Sequence, residues 1–348
     1  MKTLYSTLGL LLSSLLVLPA LGRTFRGQDV SWAYLTNSTF LFDFDKMQDL
    51  VVFGDSYSDV HTNVKNMKYD SEIYGGKNWA LKLIDIPDHK VWLWDFAHKG
   101  AVVDLQLVPR DEENTSFVTQ YNSFVENLYE KNSIRGWSSR TTLFSIWFGT
   151  NDIIYMSRSP ESSSNGTIDK IIDSKFQTME NLYQHGARHF LLIYVPTIEK
   201  APLNRGNSLY FTYDDTTYYN TQVNNRAKEF STTHPDCNVL VYDSFMEFNY
   251  IMDNKNAFGI NNIVDSCVES GADDCGKDET HFWHNDLHPS HVVQEALGQD
   301  IYEFLDSKKV VRAVPSDVEG NAESGAFTFN LKSLFLWNAI FLLSLLFI

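Results

Sequence analysis

Short apolar runs alternate along the chain with longer stretches in which apolar positions recur every three or four residues. The runs are rich in β-branched and aromatic side chains, which favour strands. Strands are predicted over residues 50–53, 91–96, 142–148, 190–195 and 239–242. Helices are predicted over residues 77–84, 116–130, 168–185, 216–230 and 290–305.

The alternation of strands and helices predicts an α/β fold. Nearly continuous apolar strands are typical of a parallel sheet that helices cover on both faces. In such sheets, ligands bind just beyond the carboxyl ends of the strands. Polar residues at those ends are therefore the candidates for function.

The N-terminal apolar segment predicts a secretory signal peptide over residues 1–22. Lys2 precedes an apolar run at 8–18, and Pro19 and small residues follow it. This order of charge, apolar run and small residues is typical of a cleaved signal. A membrane anchor is disfavoured because the run is shorter than the roughly 20 residues that span a bilayer.

The C-terminal apolar segment predicts a GPI-attachment signal over residues 326–348. It follows a polar linker at 314–325, where small residues cluster at 320–322 and at 324–326, and either cluster is a candidate attachment site. A membrane-spanning tail is the alternative, but the apolar run is short and no basic residue follows it. One folded domain is expected between the two signals, over residues 23–313.

The charge balance narrows the classes of partner. The chain has 28 Lys and Arg against 44 Asp and Glu, a net charge of -16. Nucleic acid and anionic membrane surfaces are disfavoured partners because both require a basic face. The GPI anchor is therefore the expected link to a membrane. Sequons at Asn37, Asn114 and Asn165 agree with export to the cell surface.

Four polar residues at the predicted strand ends and near the C-terminus suggest acyl transfer. Ser56 is the candidate nucleophile and His288 the base that takes its proton. The backbone N–H groups of Ser56 and Gly100 and the side-chain amide of Asn151 are candidate donors to an oxyanion. No spacing of His and Cys is typical of a metal site, so we expect neither a metal nor another cofactor.

The chain resembles the SGNH, or GDSL, hydrolases, and within them a fungal secreted branch that includes acetylesterases of carbohydrate esterase family 16. The motifs that carry this resemblance are FGDSYSD (53–59), GGKNWA (75–80), FAHKGAVVD (96–104), SIWFGTNDI (145–153), YVPTIEKAP (194–202) and FWHNDLHPS (282–290).

The resemblance implies an α/β/α sandwich of three layers around a parallel sheet of about five strands. It also implies metal-free ester hydrolysis, with short-acyl (acetyl) esters of carbohydrates as the favoured substrates. The alternatives are a lysophospholipase or lipid esterase, and a non-catalytic cell-surface relative that binds glycans.

The last motif departs from the family pattern. The resemblance implies an aspartate three residues before His288, but that position is Asn285, and Asp286 lies two residues before. Either residue is a candidate to orient the imidazole. An amide carbonyl can accept the Nδ1 proton, whereas an amide turned the other way favours the wrong tautomer.

Three cysteines in an oxidising compartment allow one disulfide. Cys267 and Cys275 are the expected pair, from their short separation and from the resemblance, in which a small disulfide loop precedes the histidine segment. Cys237, beside a predicted strand, is then expected to be a buried free thiol.

Overall fold

The computed structural model describes residues 26–36, 39–110, 115–130, 136–156, 165–205, 213–269, 275 and 280–310. The predicted signal peptide (1–22), the linker (314–325), the GPI signal (326–348) and the sequons at Asn37 and Asn114 lie outside these residues. Within the described residues, no helix combines the length and hydropathy that crossing a bilayer requires.

A six-stranded sheet forms the centre of the fold. Its strands are β1 (Trp32–Tyr34), β2 (Asp49–Gly54), β3 (Trp92–Asp95), β4 (Thr142–Trp147), β5 (His189–Ile193) and β6 (Asn238–Tyr242). Their order is β1-β6-β5-β4-β2-β3. The five predicted strands are confirmed, and all five are parallel to one another. The sequence pattern missed β1, an antiparallel edge strand of three residues, which is too short for alternation to be visible.

Eight helices occur in the described residues. They are α1 (Gly27–Val30), α2 (Trp79–Asp85), α3 (Phe117–Phe124), α4 (Thr150–Met156), α5 (Asn165–Gln184), α6 (Tyr213–Thr233), α7 (Ser244–Asp253) and α8 (His291–Ser307). A π-helical turn, Val125–Tyr129, extends α3. Five of these helices were predicted, whereas α1, α4 and α7 were not.

Helices cover both faces of the sheet, which confirms the three-layer sandwich. Along β2, Val51 and Phe53 belong to the apolar core beneath α3, α5 and α6. Leu50 and Val52 point to the opposite core, beneath α2, α7 and α8. All four side chains are buried, so the strand is apolar on both faces, as a central parallel strand requires.

A small second sheet lies next to the C-terminal helix. It pairs β7 (Asn262–Ser266) in parallel with β8 (His281–Trp283). The chain then passes from β8 through a short loop into α8. That loop contains His288.

Candidate active site

Ser56 lies in a tight turn directly after β2. Two backbone N–H groups donate to the Asp55 carbonyl oxygen, each at 3.0 Å, and close the turn. Gln120 of α3 braces the strand end, because its side chain accepts from the Gly54 N–H at 3.0 Å and donates to the Gly54 carbonyl at 2.7 Å. Ser56 is half-buried, so its hydroxyl remains accessible at the carboxyl edge of the sheet.

His288 approaches Ser56 from the loop between β8 and α8. Its Nε2 atom lies 2.6 Å from Ser56 Oγ. The loop closes on itself, since the His284 N–H donates to the His288 carbonyl at 2.8 Å. The Tyr57 hydroxyl donates to the Leu287 carbonyl at 2.8 Å and joins the nucleophile turn to this loop. The two segments are 232 residues apart in the sequence but directly bonded in the fold.

The side-chain oxygen of Asn285 holds the other ring nitrogen. Asn285 Oδ1 lies 2.9 Å from His288 Nδ1 and also accepts from the backbone N–H groups of Leu287, at 3.0 Å, and His288, at 2.8 Å. An amide oxygen can only accept, so Nδ1 must carry the proton of the neutral ring. The lone pair of Nε2 therefore faces the Ser56 hydroxyl.

Asp286, the other candidate to orient the ring, takes a different position. Its side chain is exposed, and its backbone carbonyl accepts from the Leu203 N–H at 2.7 Å. The Nδ1 atom of His288 contacts Asn285 rather than Asp286.

Aromatic neighbours give His288 an apolar environment. Ring centroids of Tyr57 and Tyr74 lie 5.7 and 5.8 Å from that of His288, and Tyr74 stacks on His284 at 4.2 Å. Burial lowers the pKa of His288 to about 4, and nearby His284 acts in the same direction. The imidazole is therefore neutral at pH 7 and able to accept a proton. The Tyr74 hydroxyl also hydrogen-bonds the Asn285 side chain.

The candidate oxyanion donors lie in turns that hydrogen bonds join. Gly100 has φ of 79°, a left-handed conformation that favours glycine. Asn151 is buried and donates one amide N–H to the Ala101 carbonyl at 3.0 Å, which leaves its second N–H as a donor. The Asp59 carboxylate accepts from the Lys99 N–H at 2.8 Å and ties the nucleophile turn to the Gly100 turn.

The disulfide lies beside the histidine loop. The structure joins Cys267 to Cys275 and leaves Cys237 free and buried. The Cys267 N–H donates to the Trp283 carbonyl at 3.0 Å, directly before the loop that carries His288. Cys267, one end of the disulfide, is thus hydrogen-bonded to the strand that precedes the His288 loop.

The chain matches a known protein family. A family model described as GDSL-like Lipase/Acylhydrolase matches residues 50–301. The chain belongs to this family. As a member of this family, the chain is a hydrolase that acts on ester bonds.

Two curated relatives of this GDSL acylhydrolase are fungal acetylesterases. One, from Thermothelomyces thermophilus, is 25% identical over 270 residues, which cover 72% of this chain and 86% of the relative. Another, from Hypocrea jecorina, is 23% identical over 318 residues, which cover 76% of this chain and 90% of the relative. The chain is thus similar to acetylesterases over most of their length.

Two of the solved structures that match the chain are bacterial. An acetylxylan esterase from Geobacillus stearothermophilus is 12% identical with a TM-score of 0.44, over 77% of this chain and 96% of that chain. A member of the lipolytic G-D-S-L family from Veillonella parvula is 11% identical with a TM-score of 0.38, over 73% and 96%.

Beneath the site of this acylhydrolase lies a cluster of buried charges that sequence reasoning missed. Lys175 of α5 is 1% exposed, and Asp55 and Asp152 are fully buried. The two aspartates directly adjoin Ser56 and Asn151 in the sequence. A signal was present, because Lys175 lies three and four residues after Ile172 and Ile171, which places it on the apolar stripe of the predicted helix at 168–185.

A recess of about 370 Å³ lies at the same edge of the sheet, beyond β5 and β6. Trp32 begins the antiparallel strand β1, Tyr194 directly follows β5, and both line the recess. Aromatic and amide side chains contribute most of its wall. The lining includes Trp32, Tyr194, Tyr213, Phe245, Asn224 and Asn225. Trp32 and Tyr213 are 38% and 55% exposed, so their rings are available for contact.

Proposed function

We propose that the chain is a serine acetylesterase that hydrolyses acetyl esters of carbohydrates. The observation that carries this proposal is the hydrogen-bonded series from Ser56 Oγ to His288 Nε2, at 2.6 Å, and from His288 Nδ1 to Asn285 Oδ1, at 2.9 Å. A serine, a base and a group that orients the base are the parts that nucleophilic acyl transfer needs.

The reaction proceeds in two similar halves. Ser56 Oγ attacks the ester carbonyl carbon while its proton passes to His288 Nε2. Asn285 keeps the second proton on Nδ1, so the ring faces the nucleophile in the useful tautomer. The tetrahedral intermediate then collapses, and the imidazolium gives its proton to the departing alcohol. Water attacks the acetyl-serine in the same way and releases acetate and free Ser56.

The negative charge of the tetrahedral intermediate requires donors at its oxygen. Those proposed are the backbone N–H groups of Ser56 and Gly100 and the free amide N–H of Asn151. Each such donor stabilises the transition state by about 3–4 kcal/mol when it is held in place in advance. The hydrogen bonds between the three turns support this role because they fix the donors before substrate binds.

The acetyl group of the proposed substrate is supported by the named relatives, which are acetylesterases. A carbohydrate as the alcohol is supported by one structural feature. The recess beyond β5 and β6 combines exposed aromatic faces, such as Trp32, with the amides of Asn224 and Asn225. Sugars present apolar ring faces and many hydroxyl groups, and this combination of side chains complements both.

A fluorophosphonate probe and a series of acyl esters test the proposal together. The probe should label the folded wild-type chain and not Ser56→Ala. Turnover of 4-nitrophenyl esters should fall sharply from acetyl to octanoyl. Failure of labelling would favour the non-catalytic glycan-binding relative, and a preference for octanoyl would favour the lipid esterase.

We also propose that the enzyme acts outside the cell. The disulfide between Cys267 and Cys275 suits an oxidising compartment. Asn165 of the sequon at 165–167 is exposed at the first residue of α5, where a glycan can attach. Treatment with an amide-cleaving glycosidase should lower the mass of the wild-type protein by more than that of Asn165→Gln.

A further inference from the structure

Lys175 brings an ammonium group beneath the catalytic edge of the sheet. Its Nζ atom donates to the Phe148 carbonyl at 3.3 Å, directly after β4. The Tyr219 hydroxyl donates to the same carbonyl at 3.1 Å, and Lys175 Nζ lies 5.4 Å from the Tyr219 ring centroid. The side chain is 1% exposed. A lysine is rarely buried so completely unless its charge is compensated.

Two buried carboxyl groups lie within electrostatic range of Lys175. Asp55 and Asp152 are both fully buried, and both interact electrostatically with Lys175. Burial raises the pKa of both groups, whereas backbone N–H donors and the charge of Lys175 lower it, with the balance at about 7 for Asp55 and about 6 for Asp152. The ammonium thus favours the ionised form of each carboxyl group, which burial by itself disfavours.

Each carboxylate holds a turn that carries a proposed oxyanion donor. Asp55 Oδ1 accepts from the Tyr57 N–H at 3.0 Å, within the turn of the nucleophile. Asp152 Oδ1 accepts from the Val103 N–H at 2.9 Å, within the turn that follows Gly100. The side-chain amide of Asn151 donates to the Ala101 carbonyl, which belongs to the same turn. Ionised carboxylates make stronger bonds to N–H groups than neutral carboxyl groups do.

We propose that Lys175 is a positioning residue for ester hydrolysis, because its buried charge keeps Asp55 and Asp152 ionised, and these two carboxylates order the turns after β2 and β3. The proposal rests on the proposed roles of Ser56 and Asn151. Lys175 itself does not touch substrate. Its loss should therefore lower the rate of the chemical step and leave the binding of a small ester unchanged.

Two variants separate the charge of Lys175 from its hydrogen bond. Lys175→Met removes both, whereas Lys175→Gln keeps an N–H donor for the Phe148 carbonyl and removes only the charge. For 4-nitrophenyl acetate we expect kcat to fall at least about tenfold in both, with KM within about twofold of wild type. Lys170→Met, at an exposed position of the same helix, is the matched control and should leave kcat and KM unchanged.

A double variant tests whether the carboxylates transmit the effect. Because Lys175 acts through the ionised carboxylates, adding Asp152→Asn to Lys175→Met should lower kcat by a smaller factor than Asp152→Asn does in the wild-type chain. Groups that act independently would instead give losses that multiply. The proposal is overturned if a folded Lys175→Met or Lys175→Gln turns over at the wild-type rate, or if Asp152→Asn lowers kcat by the same factor with and without Lys175→Met.

Measurements of folding and of probe labelling distinguish a failure of the Lys175 proposal from a failure of the proposed function. If neither single variant folds, the double variant must fold and hydrolyse the ester, and its failure also overturns the proposal. If the fluorophosphonate probe labels wild type at Ser56, the proposed function stands whatever the Lys175 variants do. If the probe fails on wild type, the proposed function fails before Lys175 is considered.

Discussion

Asn285 Oδ1 lies 2.9 Å from His288 Nδ1 and is held there by two backbone N–H groups of its own loop. The direction in which an asparagine amide is turned decides whether its oxygen or its nitrogen faces the imidazole. Here the backbone donors require the oxygen to face them, so the same oxygen also meets the ring. The side chain therefore selects the useful tautomer without adding a negative charge.

Asn285→Asp should shift the pH profile. The wild-type base is protonated, and so inactive, only near pH 4, because the pKa of His288 is lowered to about 4. A carboxylate at position 285 stabilises the imidazolium and raises that pKa, so the acid limb of kcat/KM moves to higher pH. We also expect about a tenfold faster turnover near pH 7, where a more basic imidazole transfers protons better. The pH dependence of kcat/KM for 4-nitrophenyl acetate measures both effects.

Two further variants, at Asp286 and at Asn285 itself, serve as controls for Asn285→Asp. Tyr57, Tyr74 and His284 face the ring and stay unchanged, and Asp286 is exposed. Asp286→Ala should keep kcat within about twofold of wild type, whereas Asn285→Ala should lower it about a hundredfold through loss of orientation. The reverse order of these two effects would assign the orienting role to Asp286.

Trp32→Ala should weaken the use of saccharide esters without affecting small esters. The ring is 38% exposed in the recess at the catalytic edge, where it is available to pack against a sugar. We expect KM for an acetylated xylo-oligosaccharide to rise about tenfold, as the loss of roughly 1.4 kcal/mol of binding implies. KM for 4-nitrophenyl acetate should not change. Trp92→Ala, at the start of β3 and thus at the opposite edge, is the control, and equal effects of both variants on the oligosaccharide would contradict the prediction.

Gly149→Ala should destabilise the protein more than Gly259→Ala. Both glycines have positive φ, 131° and 76°. A Cβ at Gly149 would overlap Val195 and Tyr219, whereas one at Gly259 would meet nothing within 4 Å. We expect losses in the free energy of unfolding of about 3 kcal/mol for Gly149→Ala and about 1 kcal/mol for Gly259→Ala. Urea unfolding followed by circular dichroism measures both, and equal losses would show that the overlap is relieved at little cost.

Glu247→Gln should reduce the loss of stability at alkaline pH. Glu247 is 1% exposed on α7, and burial, together with the charge of Asp300, raises its pKa. A raised pKa means that the folded state holds a proton that the unfolded state releases above about pH 4.5. Stability from this group is therefore present at low pH and lost as the pH rises, and glutamine cannot ionise. Melting temperatures at pH 5, 7 and 9 should fall less steeply for Glu247→Gln than for wild type, while the exposed Glu303→Gln should follow wild type.

The parallel part of the fold was predictable because each strand has a strong local signal. Residues 142–148 and 190–195 are continuous apolar runs, and their observed strands, β4 and β5, begin and end within two residues of the prediction. By contrast, β1 has three residues and pairs with a strand about 200 positions away, and α7 follows its strand after a single residue. The three residues of β1 are too few to show a pattern. In α7 the buried residues Phe245, Phe248 and Met252 do recur at helical spacing, but the helix follows its strand so closely that the strand signal obscured its start.

The candidate residues of the site and their order along the chain were predictable from the sequence. Ser56, Gly100 and Asn151 follow consecutive predicted strands, and parallel strands bring their carboxyl ends to one edge. The pairing of His288 with Asn285 rather than Asp286 was open, because it depends on the path of the seven-residue loop between β8 and α8. Lys175 was missed because a single lysine in a helix is most often exposed.

The sequence by itself determined the family, the α/β architecture and the residues from which an ester hydrolase can be built, because those depend on local patterns of apolar and polar side chains. Only the tertiary structure decided which amide oxygen meets the imidazole and which charge lies beneath the oxyanion turns. Both depend on contacts between segments that are distant in the chain, and such contacts leave no periodic signal. Their energies depend on burial, which is a property of the folded molecule.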